Sequence, residues 1–374
     1  MHKILLIFGT RPEAIKLCPV IRGLHEHPSK FDVKVCVTAQ HREMLDQVLD
    51  AFQVKPHHDL DLMLPGQTLY QSTSRILAGL EPVLREEKPA MVIVQGDTTT
   101  TLCGALAAFY ARIPVAHVEA GLRTHDMRQP FPEEMNRVVA SRLTALHFAA
   151  TEKAAENLRE EGVAADTIHV TGNTGIDAVL YVRDGLERGT LRGGTFGWLD
   201  ASKKLIVVTA HRRESFGDGF ERICRALGKI ADRDDVQLVY PVHPNPNVQD
   251  PVQRYLAGHA NVQLIEPQSY LPFVDLMRRA YLLITDSGGI QEEGPSLGKP
   301  ILVLREKTER PEAVTAGTVK LVGTDEDRIV HEAMVLLGNS GAYHQMARIH
   351  NPYGDGHASA RISALIDSFL TLNS

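Results

Sequence analysis

Ile284-Thr-Asp-Ser-Gly-Gly-Ile-Gln-Glu-Glu-Gly-Pro-Ser-Leu-Gly-Lys-Pro300 is the stretch on which the fold reading turns. The apolar run Tyr281 to Thr285 breaks off at Asp286-Ser287-Gly288-Gly289 and resumes as Ile290-Gln291-Glu292-Glu293, the pattern of a buried strand, a tight glycine turn and a helix start. Bare N–H groups at a helix start, with the helix dipole, favour an anion, and glycine lets the backbone approach it. From these residues alone an ordinary strand-to-helix turn with Ser287 as N-cap reads equally well.

Outward from this stretch the same unit repeats. Lys3 to Phe8 ends at Gly9-Thr10-Arg11-Pro12-Glu13, and Ala14, Ile15, Leu17, Val20, Ile21 and Leu24 then recur at helical spacing. Val33 to Thr38, Met91 to Val94, Val115 to Glu119, Leu146 to Ala149 and Ile168 to Val170 continue the series. After Gly172 come a helix and a glycine-rich stretch, Gly185 to Gly197, without a strand signal. The alternation restarts at Leu205 to Thr209 and runs through Val236 to Tyr240, Val262 to Ile265, Tyr281 to Thr285 and Ile301 to Leu304. Short apolar strands separated by helices mean parallel sheets with crossover helices, so the fold class is α/β with two doubly wound domains and a boundary near Gly172. The tail carries a helical stripe at Ile362, Leu365, Ile366 and Phe369.

At 374 residues the chain exceeds one core of ordinary size, which agrees with two domains. Lys and Arg number 40 against 46 Asp and Glu, a net charge of −6, without a dense basic block; nucleic acid and anionic membranes are poor partners for it. No apolar run reaches the ~18 residues of a membrane span, and Met1 to Gly9 is too short for a secretion signal, so a cytoplasmic location is expected. Cys18, Cys36, Cys103 and Cys224 stand singly in apolar contexts, which predicts free buried thiols. The 17 histidines include no HExxH pair, and no metal is expected. Neither half carries GxGxxG or GxxxxGK[ST] after its first strand, so neither a dinucleotide cofactor nor a P-loop is expected.

Ligands of open α/β sheets bind beyond the carboxyl ends of strands. Arg11 and Lys16 follow the first strand and suit a phosphate, or simply a solvated helix start. Asp97, in Gln95-Gly-Asp-Thr98, is either a reactive carboxylate or an N-cap. Glu119 closes an apolar strand in His117-Val-Glu-Ala-Gly121 and needs a polar partner or a ligand. Glu133, in Pro132-Glu-Glu134, opens a helix as acids often do. Together Asp97, Glu119 and Glu133 form a candidate acid/base cluster. In the second half His211, in Thr209-Ala-His-Arg-Arg-Glu-Ser215, and His243 end strands, where a histidine can bind phosphate or move a proton. Glu293 suits ribose hydroxyls or merely complements a helix dipole; Arg310, past the next strand, suits phosphate.

Phe8-Gly-Thr-Arg-Pro-Glu-Ala-Ile-Lys16, Thr38-Ala-Gln-His-Arg-Glu43, Gly96-Asp-Thr-Thr-Thr100, His117-Val-Glu-Ala-Gly-Leu-Arg123, Pro132-Glu-Glu134, His211-Arg-Arg-Glu-Ser215, Asp286-Ser-Gly-Gly-Ile-Gln-Glu-Glu293 and Glu309-Arg-Pro-Glu312 occur in this order. Through them the chain closely resembles the non-hydrolysing UDP-N-acetylglucosamine 2-epimerases along almost its full length. The resemblance implies a glycosyltransferase-B-type architecture of two Rossmann-like domains, 1–171 with a returning C-terminal helix at 357–374 and 172–356, an active cleft between them, and a homodimer. It implies interconversion of UDP-N-acetylglucosamine and UDP-N-acetylmannosamine for bacterial surface polysaccharides, by elimination of UDP to 2-acetamidoglucal and re-addition, without a cofactor.

By the same resemblance Arg11, His211, Ser287, Gly288 and Gly289 hold the diphosphate, Glu293 the ribose, and Phe273 borders the uracil. Asp97, Glu119 and Glu133 form the acid/base set beside His211, with Lys16 and Arg310 in support. A second UDP-N-acetylglucosamine, an allosteric activator, is implied at Gln40, His41, Gln67, Arg212 and His243. Three rivals predict otherwise: a glycosyltransferase needs an acceptor groove, a hydrolysing epimerase releases free sugar, and a UDP-sugar sensor dispenses with the carboxylates.

Overall fold

The computed structural model of the chain describes residues 1–38, 42–64 and 66–373, and only the backbone of 42–44. Its described residues divide into two compact units, Met1–Ala178 with the segment from Gly354 onward, and Val179–Tyr353.

In the first unit seven strands form one parallel sheet: β1 His2–Phe8, β2 Phe31–Val37, β3 His58–Asp59, β4 Met91–Gln95, β5 Val115–Ala120, β6 Leu146–Ala149 and β7 Ile168–Val170. Their order is β3-β2-β1-β4-β5-β6-β7. Ile4, Leu5, Leu6, Ile7 and Phe8 are all fully buried, because crossover helices cover both faces of a parallel sheet. The second unit repeats the plan with β8 Lys204–Thr209, β9 Val236–Pro241, β10 Val262–Ile265, β11 Leu282–Thr285, β12 Ile301–Val303 and β13 Val319–Leu321, ordered β10-β9-β8-β11-β12-β13. Its core gathers Ile206, Phe220, Leu238, Tyr240 and Ile284. The edge strands β3 and β13 carry no apolar run: β3 is the polar pair His58–Asp59, and β13 is broken by Lys320. No strand forms in the glycine-rich stretch Gly185 to Gly197.

In each sheet the strand order reverses once, between β1 and β4 and between β8 and β11. Such reversals splay the following loops to opposite faces and open a crevice at the carboxyl ends of the two strands. The tail forms the helix Ala358–Leu372 and packs on the helix Arg11–His25. Gly23 makes the approach close: a Cβ there would sit 3.1 Å from Ser363 Oγ. Asp177 fixes the start of the tail helix by accepting from the Ala358 and Ser359 N–H groups at 3.3 and 2.8 Å. All four cysteines are free and buried. Among the described residues no helix is long and apolar enough to cross a membrane, and no three His, Cys, Asp or Glu cluster as a metal site.

Candidate functional site

At the first reversal the loops after β1 and β4 are joined by one buried carboxylate. Thr10 caps the helix Arg11–His25 in a capping box with Glu13. Glu13 is 1% exposed; its Oε2 accepts from the Gly9 and Thr10 N–H groups at 3.0 and 2.7 Å and from Thr10 Oγ1 at 2.7 Å. Its Oε1 accepts from Thr98 Oγ1 at 2.7 Å and faces Thr101 Oγ1 at 3.3 Å. Burial pulls the Glu13 carboxyl above its ordinary range while these donors oppose the shift. Gly9 can be nothing larger, since a Cβ would lie 2.1 Å from Thr38 Oγ1 and 2.8 Å from Thr100 Oγ1. Arg11 and Lys16 thereby start from a rigid loop.

The helix Thr99–Tyr110 is capped by Thr98, which accepts from Thr101 N–H, so Asp97 is not spent as a cap. Asn136 Nδ2 donates to the Asp97 carbonyl at 2.8 Å, and Arg137 Nη1 stands 3.7 Å from its carboxylate. The Asp97 carboxyl is pushed up to about 6: burial is the main cause, Arg137 and Lys16 oppose it, and Glu119 and Glu133 add to it. Glu119 accepts from Lys16 Nζ and Gln95 Nε2. It sits at φ +63 where the β5–β6 register shifts, a left-handed conformation that costs a non-glycine residue of order 1–3 kcal/mol. A strained carboxylate at a strand end, held by a cation and an amide, is a frequent mark of a working site. His117 behind it donates Nε2–H to the Gly96 carbonyl at 2.7 Å, and burial lowers its ring to about 4, so it is neutral. Glu133 is half-buried and opens the helix Glu133–Leu143 after Pro132 at the N-cap. Its neighbour Glu134, 1% exposed, instead fixes the preceding loop through the Thr124 and His125 N–H groups.

In the second unit Asp286, also 1% exposed, spans the second reversal: its Oδ2 accepts from the His211 and Arg212 N–H groups at 2.6 and 2.7 Å. Thr209 and Thr285 hydroxyls meet 2.6 Å apart beneath it. The His211 ring stacks on His243, with centroids 5.3 Å apart and planes 8° from parallel. Ser287 occupies the N-cap of the helix Gly288–Glu293 but makes no side-chain cap bond. Arg310 packs closely over Gly288, its Cζ 2.8 Å from where a Cβ would lie, whereas Gly289 has only Ser287 Oγ near, at 3.9 Å. Arg310 Nε donates to Glu292 at 2.8 Å, so Glu292 is buried behind the turn while Glu293 is half-buried. Arg305 Nε reaches Glu214 at 2.8 Å and ties the loop after His211 to the end of β12.

The structure thus gathers Arg11, Lys16, Asp97, Glu119 and Glu133 in one unit and His211, Arg212, His243, Ser287, Gly288, Gly289, Glu293 and Arg310 in the other. Phe273 is half-buried on the helix Tyr270–Arg279. Gln67, in the first unit, donates to the Leu62 carbonyl at 3.2 Å; Gln40 and His41 lie outside the described residues. Glu13, Gln95, Arg137, Asp286 and Glu292 acquire a role only in the structure. The capping box Thr10-x-x-Glu13 and the carboxylate ending β11 were the available signals for two of them.

The UDP-N-acetylglucosamine 2-epimerase family model matches residues 22–367. The chain is 58% identical to the UDP-N-acetylglucosamine 2-epimerase of Salmonella typhimurium over 98% of this chain and 99% of that protein. It is 59% identical to that of Escherichia coli O157:H7, over 96% and 97%. Its fold is similar to the crystal structure of the UDP-GlcNAc 2-epimerase from Neisseria meningitidis bound to UDP-GlcNAc, with a TM-score of 0.88, 49% identity, and coverage of 97% and 99%. With two parallel-sheet units, charged and polar side chains at both strand-order reversals and these likenesses along nearly all its length, the chain belongs to the UDP-N-acetylglucosamine 2-epimerase family of isomerases.

Proposed function

We propose that the chain interconverts UDP-N-acetylglucosamine and UDP-N-acetylmannosamine by eliminating and re-adding UDP. The carrying observation is the group Lys16, Asp97 and Glu119 at the first reversal, with Glu119 held in a strained conformation and Asp97 shifted to about 6. The C2 hydrogen of an amino sugar is not beside a carbonyl, and a carboxylate cannot remove it directly. Cleavage of C1–O, its electron pair passing to the UDP oxygen, gives C1 oxocarbenium character and makes the C2 proton labile. A carboxylate takes that proton, leaving 2-acetamidoglucal and UDP. Protonation of C2 from the opposite face, with UDP returning to C1, yields the epimer. Positioned acid/base groups supply roughly 100- to 10,000-fold, and stabilisation of the departing diphosphate supplies the remainder.

In this reading Asp97, Glu119 and Glu133 are the acid/base set. Arg11, His211, Ser287, Gly288, Gly289 and Arg310 hold the diphosphate, Glu293 the ribose, and Phe273 borders the uracil. The reading extends to a homodimer, to activation by a second UDP-N-acetylglucosamine near Gln67, Arg212 and His243, and to the supply of surface polysaccharide precursors. Incubation with UDP-N-acetylglucosamine in D2O, followed by NMR, is expected to show deuterium at C2 and two UDP-sugars. Unlabelled substrate returned by folded protein would sink the reading, and free N-acetylmannosamine would replace it with hydrolysis.

A further inference from the structure

The two oxygens of Asp286 are used unequally. Oδ2 takes two backbone N–H groups, while Oδ1, equally buried, has no hydrogen-bond partner and lies 3.8 Å from His211 Nδ1. Buried carboxylate oxygens normally have donors, and one without points to a partner that arrives with a change of state. The imidazole is arranged to be that partner. Its backbone is already gripped by the same carboxylate, and the Thr209–Thr285 hydroxyl contact sets the spacing of the two strands beneath. One face of the ring lies against His243, so the ring can shift in its own plane without tilting. His243 Nδ1 accepts from Asn245 N–H at 3.2 Å and is therefore unprotonated, leaving its Nε2 as the protonated nitrogen.

We infer that Asp286 is the positioning residue of His211: Oδ1 accepts the Nδ1–H of the ring, keeps that proton in place whether the ring is charged or neutral, and turns Nε2 toward the diphosphate. This rests on the reading that His211 meets the leaving UDP. As the C1–O pair passes to the phosphate oxygen, the Nε2–H of the imidazolium donates to that oxygen. The Nδ1–H stays on the ring, and Asp286 stays ionised. A carboxylate behind a histidine elsewhere acts in the same way, by orientation and charge and not by taking the proton.

The test is 15N NMR of histidine-labelled protein saturated with UDP, with His211→Asn to assign the resonance. A protonated His211 Nδ1 is expected; an unprotonated Nδ1 overturns the inference. In Asp286→Asn the side-chain carbonyl still accepts the two backbone N–H groups, but the amide donates to Nδ1, so the ring is held neutral with its proton on Nε2 and can offer the departing phosphate oxygen neither the imidazolium charge nor a proton to give up. Its kcat is expected to fall by roughly 100- to 10,000-fold, with UDP affinity within about threefold. A folded variant with normal kcat overturns the inference, and if that variant does not fold the tautomer in the unsubstituted protein decides. Because the tautomer is read without turnover, absence of C2 exchange counts against the epimerase reading and leaves the Asp286 assignment to NMR.

Discussion

The strand order reverses at β1/β4 in one unit and at β8/β11 in the other, and each reversal is spanned by a carboxylate only 1% exposed. Glu13 engages donors with both oxygens, from two backbone N–H groups and from threonine hydroxyls of the facing loop. Asp286 engages them with one oxygen and holds the other 3.8 Å from an imidazole. A carboxylate with both oxygens occupied acts as a girder, since any movement breaks several bonds at once. A half-occupied one can gain a partner without losing any. On the proposed reading, the first unit keeps its carboxylates still for proton transfer, and the second adjusts around a ligand that comes and goes.

The comparison breaks most visibly at Glu119. Glu119→Gln is expected to lower turnover roughly 100- to 10,000-fold while UDP affinity, measured calorimetrically, stays within about twofold. An equal loss of UDP binding would mean the units do not divide the labour. Glu13→Gln puts an amide nitrogen against donors already committed to a carboxylate, at about 1–3 kcal/mol for each donor left unpaired. Its denaturant midpoint should fall clearly, and an unchanged midpoint would mean that Glu13 is no girder.

Asp97 supplies a pH test. With its carboxyl raised from 3.8 to about 6, it is protonated below and ionised above that pH in the folded protein. A limb near pH 6 is therefore expected in kcat/KM, rising with pH if Asp97 takes the proton and falling if it gives one. Asp97→Asn should erase the limb, and a profile flat through 6 in the parent removes Asp97 from the titrating set. For stability the sign is the reverse of the usual carboxylate: the contribution is present below 3.8 and is lost as pH rises from 3.8 through about 6.

The smallest effect is a contrast between glycines. A Cβ at Gly9 meets two buried threonine hydroxyls, whereas one at Gly288 meets the end of the Arg310 side chain, which can swing aside. Gly9→Ala should cost about 1–3 kcal/mol by overpacking and Gly288→Ala less than about 1. Equal melting shifts would show that the second reversal is as rigid as the first.

Much of this was legible in the residues. Buried parallel strands read as apolar runs, and Glu119 drew notice because a carboxylate cannot end an apolar strand without a reason. The residues around Asp97 allow a cap or a reactive group; Thr98 takes the cap, which removes the first alternative. Other features depend on contacts distant in sequence. Glu13 to Thr98 spans 85 residues, and Asp286 to His211 spans 75, so local patterns that mark the carboxylates do not reveal their partners. The left-handed backbone of Glu119 was hidden because only glycine advertises that conformation. The edge strands β3 and β13 have polar residues in place of an apolar run.

The Asp177 clasp on the last helix has a consequence for the order of synthesis. The first unit is interrupted: its final segment, from Gly354, is made only after the whole of Val179–Tyr353. During translation the second unit can therefore close from contiguous chain while the first still waits for the helix Ala358–Leu372. A chain ended at Tyr353 is expected to resist protease in Val179–Tyr353 and to be cut in the first unit; equal resistance would show that the waiting is not required. Until that helix leaves the ribosome, Asp97, Glu119 and Glu133 stand on an unfinished scaffold.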